Sequence, residues 1–236
     1  MARLARAALP GIPQHVTQRG NNRQACFFVE EDFTVYLDHL KHYAEQYQVF
    51  VHAYVLMTNH VHLLLTPKTK EGVSSLMQAL GRYYVRYINQ SYRRSGTLWE
   101  GRFKSSLVDS ENYFLIVSRY IELNPVRAGM VDSPADYRWS SYHGTALGRE
   151  ISLLTPHDIY LALGRTAAER QTAYTALFSD TMPAYTLEGI RNATNKACIL
   201  GCERFKTEVE QQLGRRVQAG SHGGDRKSKA YQDQQL

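Results

Sequence analysis

Two histidines separated by one apolar residue are the first side chains in this sequence whose spacing suggests metal chemistry. His60, Val61 and His62 lie in the run from Tyr54 to Thr66, which is rich in β-forming residues. Successive side chains of a strand point to opposite faces, so the two imidazoles share one face and Val61 points into a core. Imidazoles are common ligands of divalent metals. Because half-buried histidines are also common in strands, the pair alone leaves an ordinary structural role open.

A tyrosine and an asparagine four residues apart could complete such a site. Tyr120 and Asn124 fall in a predicted helix, where residues four apart are neighbours on one face. A tyrosine hydroxyl can act as a nucleophile, and an amide oxygen could join His60 and His62 around Mg²⁺ or Mn²⁺ to polarise a phosphodiester. The alternatives are a core tyrosine on an apolar stripe and a routine helix end before Pro125.

The composition favours a folded protein that binds nucleic acid. Of 236 residues, 43% are hydrophobic and 11% aromatic, which is enough to build a core and too much for a disordered chain. The 28 Lys and Arg outnumber the 22 Asp and Glu, for a formal net charge of +6. Arginine forks bind phosphates, and the rings of the 16 tyrosines can stack on bases. An ordinary basic surface would give the same balance.

Cysteine usage and hydropathy indicate an intracellular, non-membrane protein. Cys26, Cys198 and Cys202 are odd in number and widely spread, so they predict ordinary thiols and neither a zinc site nor a disulfide framework. No apolar stretch approaches the roughly 20 residues of a membrane span, and the apolar part of the N-terminus is short for a signal peptide. We therefore expect a cytoplasmic protein with no membrane partner.

Hydrophobic periodicity predicts the elements that must position these residues. Their order is strand, helix, strand, strand, helix, strand, helix, which predicts an α+β fold: a ferredoxin-like sandwich with a central, mostly antiparallel sheet and helices packed on it. The third helix is expected to stop at Asn124, because Pro125 cannot continue it. The predicted strands are 12–19, 49–57, 60–66 and 103–108, and the predicted helices are 30–47, 72–93 and 110–124.

A stretch rich in Ser, Gly and Tyr at 133–150 predicts a break between two regions. We divide the chain into a catalytic domain at 1–148, a small C-terminal helical region at 149–213 that is a candidate DNA-binding module, and a basic flexible tail at 214–236. Short helices are predicted near 156–163, 167–178, 186–195 and 201–213.

In conjunction, these features resemble the HUH single-tyrosine nucleases, and most of all the IS200-like transposases and their REP-associated branch. The resemblance covers about residues 10–145 and follows the order of the family's motifs. It rests on Met57-Thr-Asn-His-Val-His62 and Tyr120-Ile-Glu-Leu-Asn124, supported by Thr17-Gln-Arg-Gly-Asn-Asn-Arg23, Leu98-Trp-Glu-Gly-Arg-Phe-Lys104 and Tyr137-Arg-Trp-Ser-Ser141.

The resemblance implies an enzyme that cuts and rejoins single-stranded DNA. Tyr120 would attack the strand to give a 5′-phosphotyrosine and a free 3′-hydroxyl, while His60, His62 and Asn124 hold Mg²⁺ or Mn²⁺. Asn124 departs from the Gln of the insertion-sequence transposases but fits the REP-associated branch. The implied partner is a palindromic DNA hairpin with a flanking single-stranded sequence, and the chain would act as a monomer or a homodimer.

Clusters of cations and amides are candidates for DNA binding, with a solvated charge as the alternative for each. The cluster after the first strand could read unstacked bases, the second helix could contact the backbone, and two cations before the third helix could approach the scissile phosphate. These residues are Arg19, Asn21, Asn22 and Arg23; Arg82, Arg86, Arg93 and Arg94; and Arg102 and Lys104.

Two other classes of protein compete with a transposase. A domesticated hairpin-binding protein with a role outside transposition would keep the same DNA surface. A relaxase or replication-initiator nuclease would share the metal site, but there the tyrosine typically precedes the histidine pair. No helicase segment with a phosphate loop is present, so this second class is disfavoured.

Overall fold

A four-stranded antiparallel sheet forms the centre of the molecule. The computed structural model describes residues 6–217, within which there are four strands and nine α-helices. The sheet order is β2-β3-β1-β4, and every neighbouring pair is antiparallel. With a helix after β1 and another after β3, this is the ferredoxin-like arrangement, and the predicted α+β class is confirmed. The strands are β1 (Gln14–Arg19), β2 (Val49–Met57), β3 (His60–Pro67) and β4 (Lys104–Leu107).

Helices α1 (Glu30–Gln46) and α2 (Gly72–Ser91) cover one face of the sheet. Both place apolar and aromatic side chains at helical spacing against the strands, as their periodicity predicts. The resulting cluster includes Tyr36, Leu40, Leu80 and Tyr84 from the helices and Val16, Val61, Leu63 and Leu65 from the strands, each at most 1% exposed. Hydrocarbon burial on this scale is the main stabilising contribution to the sheet.

The opposite face is covered in part by α3 (Ser110–Glu122), which begins where the Asp109 side chain accepts the backbone N–H of Asn112. The helix ends two residues before the predicted end. Leu123 joins it to the short α4 (Asn124–Arg127), with Pro125 in the first turn. Proline is tolerated there because an N–H at that position has no partner within the helix.

The stretch 133–150, where the sequence predicts a break, packs against the sheet. Its backbone pairs with the free edge of β2: Leu56 N–H donates to the Trp139 carbonyl, and Ser141 N–H donates to the Tyr54 carbonyl, both at 2.9 Å. An edge strand leaves such groups unpaired unless another segment covers them. The stretch also contains α5 (Tyr142–Thr145).

A buried carboxyl group ties α3 to the segments that follow. Glu122 is 0% exposed and accepts hydrogen bonds from Ser141, from Thr145 at 2.9 Å and from Tyr174 at 2.8 Å. Burial raises the pKa of Glu122 to about 7, against the opposing effect of the three hydroxyls. Tyr174 belongs to α7 (Ala167–Ala176), which follows α6 (Asp158–Leu161).

The last two described helices pack beside β4. Thr194 of α8 (Ala184–Lys196) contacts Ser106, and Val209 of α9 (Glu203–Leu213) shares a cluster with Leu107. The division of the chain at residue 148 stays a prediction. Most of the predicted tail, 218–236, lies outside the described residues. No helix between residues 6 and 217 has the length and apolarity needed to span a membrane.

Candidate active site

Strand alternation and pairing place both histidines of the pair in one cavity. Across β1 and β3, Thr17 lies opposite His62 and Arg19 opposite His60. Val61, 0% exposed, packs on the α1–α2 face, as alternation predicts. On the other face β1, β3, α3, α4 and α8 enclose a cavity of about 480 Å³. Its walls include His60, His62, Tyr120, Asn124, Arg19, Arg102 and Lys104.

His60 presents one ring nitrogen to this cavity because the other is already used. Its Nδ1 lies 2.7 Å from Asn59 Oδ1, and Asn59 Nδ2 donates to the Arg23 carbonyl at 2.9 Å. With its amide nitrogen so engaged, Asn59 offers an acceptor, and His60 Nδ1–H donates to it. Burial, reinforced by the nearby Arg19, lowers the pKa of His60 to about 4. The ring is therefore neutral at neutral pH, with Nε2 left to bind a ligand.

His62 is deeper and is held by a third histidine. It is 7% exposed, and its Nδ1 lies 2.8 Å from Nε2 of His15 on β1. The two rings stack at 5.1 Å with an interplanar angle of 14°. Burial, followed by the neighbouring histidines, lowers the pKa of His62 well below its usual value. Burial, with Arg127 nearby, lowers that of His15 to about 3.

Tyr120 lies between these imidazoles and a guanidinium group. The tyrosine is 5% exposed, and its ring meets those of His62 and His15 edge-on at 5.8 and 5.7 Å. Arg127 lies over the ring, 4.3 Å from its centroid, and Nη2 donates to the Tyr120 carbonyl at 2.7 Å. Arg127 Nη1 is buried with no partner within residues 6–217. Burial lowers the pKa of Arg127, and Tyr120 offsets part of that effect.

Asn124 completes a set of donors that fits a small divalent cation. It opens α4 and lines the same cavity, and its side chain opposes part of the lowering of the His60 pKa. Two neutral imidazoles and an amide oxygen suit Mg²⁺ or Mn²⁺ with positions left open for substrate. In the described part of the chain, no three His, Cys, Asp or Glu side chains gather as metal ligands.

The predicted DNA-binding residues fall into three places. Three of the cations line the cavity, as given above, and Lys104 donates to Asn195 of α8 at 2.9 Å. The arginines from α2 and the turn after it belong to the other face of the sheet, and Arg82, Arg86 and Arg93 are exposed there. Asn21, Asn22 and Arg23 form a 3₁₀ turn at the end of β1, outside the cavity lining.

Among the lining residues that sequence reasoning did not assign to the site, five have polar or charged side chains from β1, α4 and α8 that line or support the cavity. His15 carries a signal that was available, because it alternates with Thr17 and Arg19 on the same face of β1. Arg127 lies three residues beyond Asn124, at the end of α4, and was not assigned a role. The other three residues come from α8, some 70 residues further along, with no local signal: Arg191, Thr194 and Asn195.

The fold and this site define a class of protein. Residues 10–124, just under half of the chain, match the family model described as transposase, IS200 like. The matched segment runs from just before β1 to Asn124, so it includes both histidines and Tyr120.

Two similar proteins carry names from the REP-associated branch. A Haemophilus influenzae protein named as a REP-associated tyrosine transposase is 27% identical over 114 residues, which cover 44% of this chain and 64% of that protein. A solved structure of a REP-associated tyrosine transposase bound to a REP hairpin has a TM-score of 0.56 and 17% identity, covering 66% of this chain and 93% of that one. At that identity the second likeness shows a shared fold.

Proposed function

We propose that this protein is a metal-dependent, single-stranded DNA endonuclease and strand transferase that binds palindromic, REP-like hairpins. The observation that carries the proposal is the meeting of Tyr120, His60, His62 and Asn124 in one cavity of one chain. The match of residues 10–124 to the IS200-like transposase model supports DNA transposition or mobilisation of REP elements as the biological role. The REP hairpin bound by the related protein is the model for the substrate.

The residues present fit a divalent cation, and they would hold it through His60 Nε2, His62 Nε2 and the Asn124 side-chain oxygen. When bound, Mg²⁺ or Mn²⁺ supplies the positive charge that polarises the scissile phosphate. Because both imidazoles are neutral at pH 7, no proton has to leave them before they act as ligands.

Tyr120 is the proposed nucleophile. Its Oη attacks the phosphorus and gives up its proton, the bond from phosphorus to the 3′-oxygen breaks, and the departing oxygen takes a proton to become a 3′-hydroxyl. Arg127, over the ring at 4.3 Å, would stabilise the phenolate, and its unpartnered Nη1 can donate to a phosphate oxygen. Attack by another 3′-hydroxyl reverses the step, so strand transfer keeps the number of phosphodiester bonds and needs no ATP.

The DNA path follows from where the cations lie. Arg19, Arg102 and Lys104 at the cavity would bind the single strand near the scissile phosphate. The turn 21–23 at the end of β1 would read unstacked bases beside it. The exposed arginines of α2 would contact the hairpin backbone from the other side of the sheet.

One copy of the chain can complete the proposed site, because the nucleophile and all three ligands come from the same chain. This supports action as a monomer. Sedimentation of the protein with and without hairpin DNA measures the oligomeric state directly. If a homodimer exchanged its tyrosine helices, mixing a variant that lacks Tyr120 with one that lacks a metal ligand would restore activity.

The test is covalent capture of DNA. The protein is incubated with single-stranded oligonucleotides that carry palindromic repeats from the flanks of its gene, with Mg²⁺ or Mn²⁺ and with EDTA. We expect an adduct stable in denaturing gels that disappears with EDTA and in Tyr120→Phe. Tyr113→Phe, one to two turns earlier on the same helix, is the matched control and should retain it.

The possible outcomes separate the proposal from its alternative. An adduct that persists in Tyr120→Phe would rule out this nucleophile. Tight, hairpin-specific binding without any adduct in the native protein would favour a domesticated hairpin-binding protein.

A further inference from the structure

A chain of hydrogen bonds runs from α8 through β1 to one of the proposed metal ligands. Thr194 Oγ1 lies 2.9 Å from His15 Nδ1, and His15 Nε2 lies 2.8 Å from His62 Nδ1. All three side chains are buried, at 3%, 1% and 7% exposure. Thr194 lies outside the segment that matches the family model, so the segment's own residues cannot complete this chain.

The Thr194 hydroxyl sets one consistent direction for these bonds. A threonine hydroxyl has one hydrogen, and that of Thr194 donates to the Ile190 carbonyl one turn earlier at 3.0 Å. Thr194 Oγ1 is then an acceptor towards His15, so His15 Nδ1 carries the proton and its Nε2 is an acceptor. His62 must in turn donate from Nδ1. Its Nε2 keeps a lone pair.

The opposite direction would disable the site. If Thr194 donated to His15 Nδ1, then His15 Nε2–H would donate to His62 Nδ1, and the His62 proton would move to Nε2. That nitrogen could no longer coordinate a cation. The Ile190 carbonyl favours the first direction, because there it accepts the Thr194 hydroxyl as well as a backbone N–H of the helix.

We propose that Thr194 and His15 are positioning residues that hold His62 in the tautomer with an unprotonated Nε2, and so tune divalent-cation binding from the C-terminal helix α8. The inference rests on the proposed function, since it takes His62 as a ligand. His60 is oriented independently, by its hydrogen bond to Asn59. The two ligands are therefore oriented by different parts of the chain, and only His62 depends on α8.

The direct test is the tautomer of His62 in metal-free protein. Protein labelled with ¹⁵N-histidine is studied by long-range ¹H–¹⁵N correlation at pH 7.5, with signals assigned through single His→Gln variants. We expect His62 and His15 as Nδ1–H tautomers in the native protein. An Nε2–H tautomer at His62 there overturns the proposal without any variant of Thr194.

Three variants at and beside α8 sharpen the test. Thr194→Val keeps the shape of the side chain but removes the acceptor, so the His62 signal should shift towards the Nε2–H form. Mn²⁺ affinity, measured by the EPR signal of free Mn²⁺, should fall about 10- to 100-fold. Thr194→Ser should restore both. Ser106→Ala removes a hydroxyl 3.3 Å from Thr194 Oγ1 but outside the chain of bonds, and should change neither.

Failure of this proposal can be told apart from failure of the proposed function. Suppose that Thr194→Val folds and leaves the His62 tautomer and the Mn²⁺ affinity unchanged, while native protein forms DNA adducts. The positioning role of Thr194 and His15 is then wrong, and the proposed nuclease function is retained. If the tautomer and the Mn²⁺ affinity respond as expected but no adduct forms in native protein, the positioning role is supported and the proposed DNA cleavage is refuted.

Discussion

The two faces of β3 differ in how their side chains are held. On the face under α1 and α2, Val61, Leu63 and Leu65 are 0% exposed and belong to one cluster of apolar and aromatic side chains. On the other face, His60 and His62 are also largely buried, but each depends on a specific hydrogen-bond partner. One strand thus carries a nondirectional core and a directional polar site, one residue apart.

The two faces of β3 show which side chains stabilise the fold and which ones form the proposed site. Apolar packing depends mainly on side-chain volume and has little directional preference. Periodicity alone therefore predicts which residues form the helix-covered face. Buried polar groups cost free energy unless every donor finds an acceptor. The second face therefore takes its partners from outside β3: Asn59 from the adjoining hairpin turn, and His15 from β1 and Thr194 from α8, which are distant in sequence.

The largest effect should come from the polar face. Replacing His62 by alanine removes a proposed metal ligand, so covalent adduct formation should fall by at least about 10³-fold, as several kcal/mol of transition-state stabilisation are lost. Single-turnover adduct formation with excess protein measures this. Hairpin affinity in EDTA should stay within about threefold, because the ligand is not a phosphate-binding group; a parallel loss of affinity would contradict this separation.

The neighbouring residue should show the opposite behaviour. Leu63→Ala leaves a cavity in the core under α1 and α2, and should lower the free energy of unfolding by about 2–5 kcal/mol. Urea denaturation measures it. At a temperature where both proteins are folded, the rate of adduct formation should change less than about threefold. A large kinetic defect in folded Leu63→Ala would show that the two faces are coupled.

Acid should weaken the polar face first. The pKa of His60 is about 4 in the folded chain, below the 6.5 of an unperturbed histidine, because burial disfavours its charged form. Such a group contributes stability that is fully present above pH 6.5 and is lost as the pH falls towards 4. Between pH 7.5 and 5.0 in EDTA, the free energy of unfolding of His60→Gln should therefore fall by about 1–2 kcal/mol less than that of native protein. Identical pH dependence of urea unfolding in both proteins would refute the lowered pKa.

The same contrast explains how much the sequence could predict. The strand bounds of β2, the α+β class and the common face of His60 and His62 follow from alternation, which is a local pattern. The end of α3 was wrong by two residues because Pro125 starts a new turn instead of only ending the old one. The ordered segment around Trp139 was missed because its pairing partner, β2, is some 80 residues away.

The polar supports of the site were beyond local patterns for a similar reason. His15 could have been found from its place in the alternation of β1. Thr194 could not, because a lone threonine in a predicted helix has no feature that links it to a strand 179 residues earlier. Periodicity specifies which face is buried, but not which distant group satisfies a buried donor.

The smallest effects are expected for arginine variants on the two faces of the sheet, where one face should affect DNA binding alone and the other should also affect the cleavage rate. Arg86 is exposed on α2, whereas Arg102 lines the cavity on the other face. If each binds one phosphate, either alanine variant should reduce the slope of log affinity against log salt by about 0.7–0.9. At saturating DNA, Arg86→Ala should cleave at the native rate, because its contact is far from the scissile bond. Arg102→Ala should cleave about tenfold more slowly.

Lys70→Ala, on the loop between β3 and α2, is a control of the same charge change on the helix-covered side. It should alter neither the salt slope nor the rate, since it lies at the far end of β3 from His60. Equal salt slopes for Arg86→Ala and native protein would remove α2 from the hairpin path, and the DNA would then be confined to the face that carries the histidines. Equal loss of cleavage rate in Arg86→Ala and Arg102→Ala would instead show that contacts on α2 position the strand for attack by Tyr120.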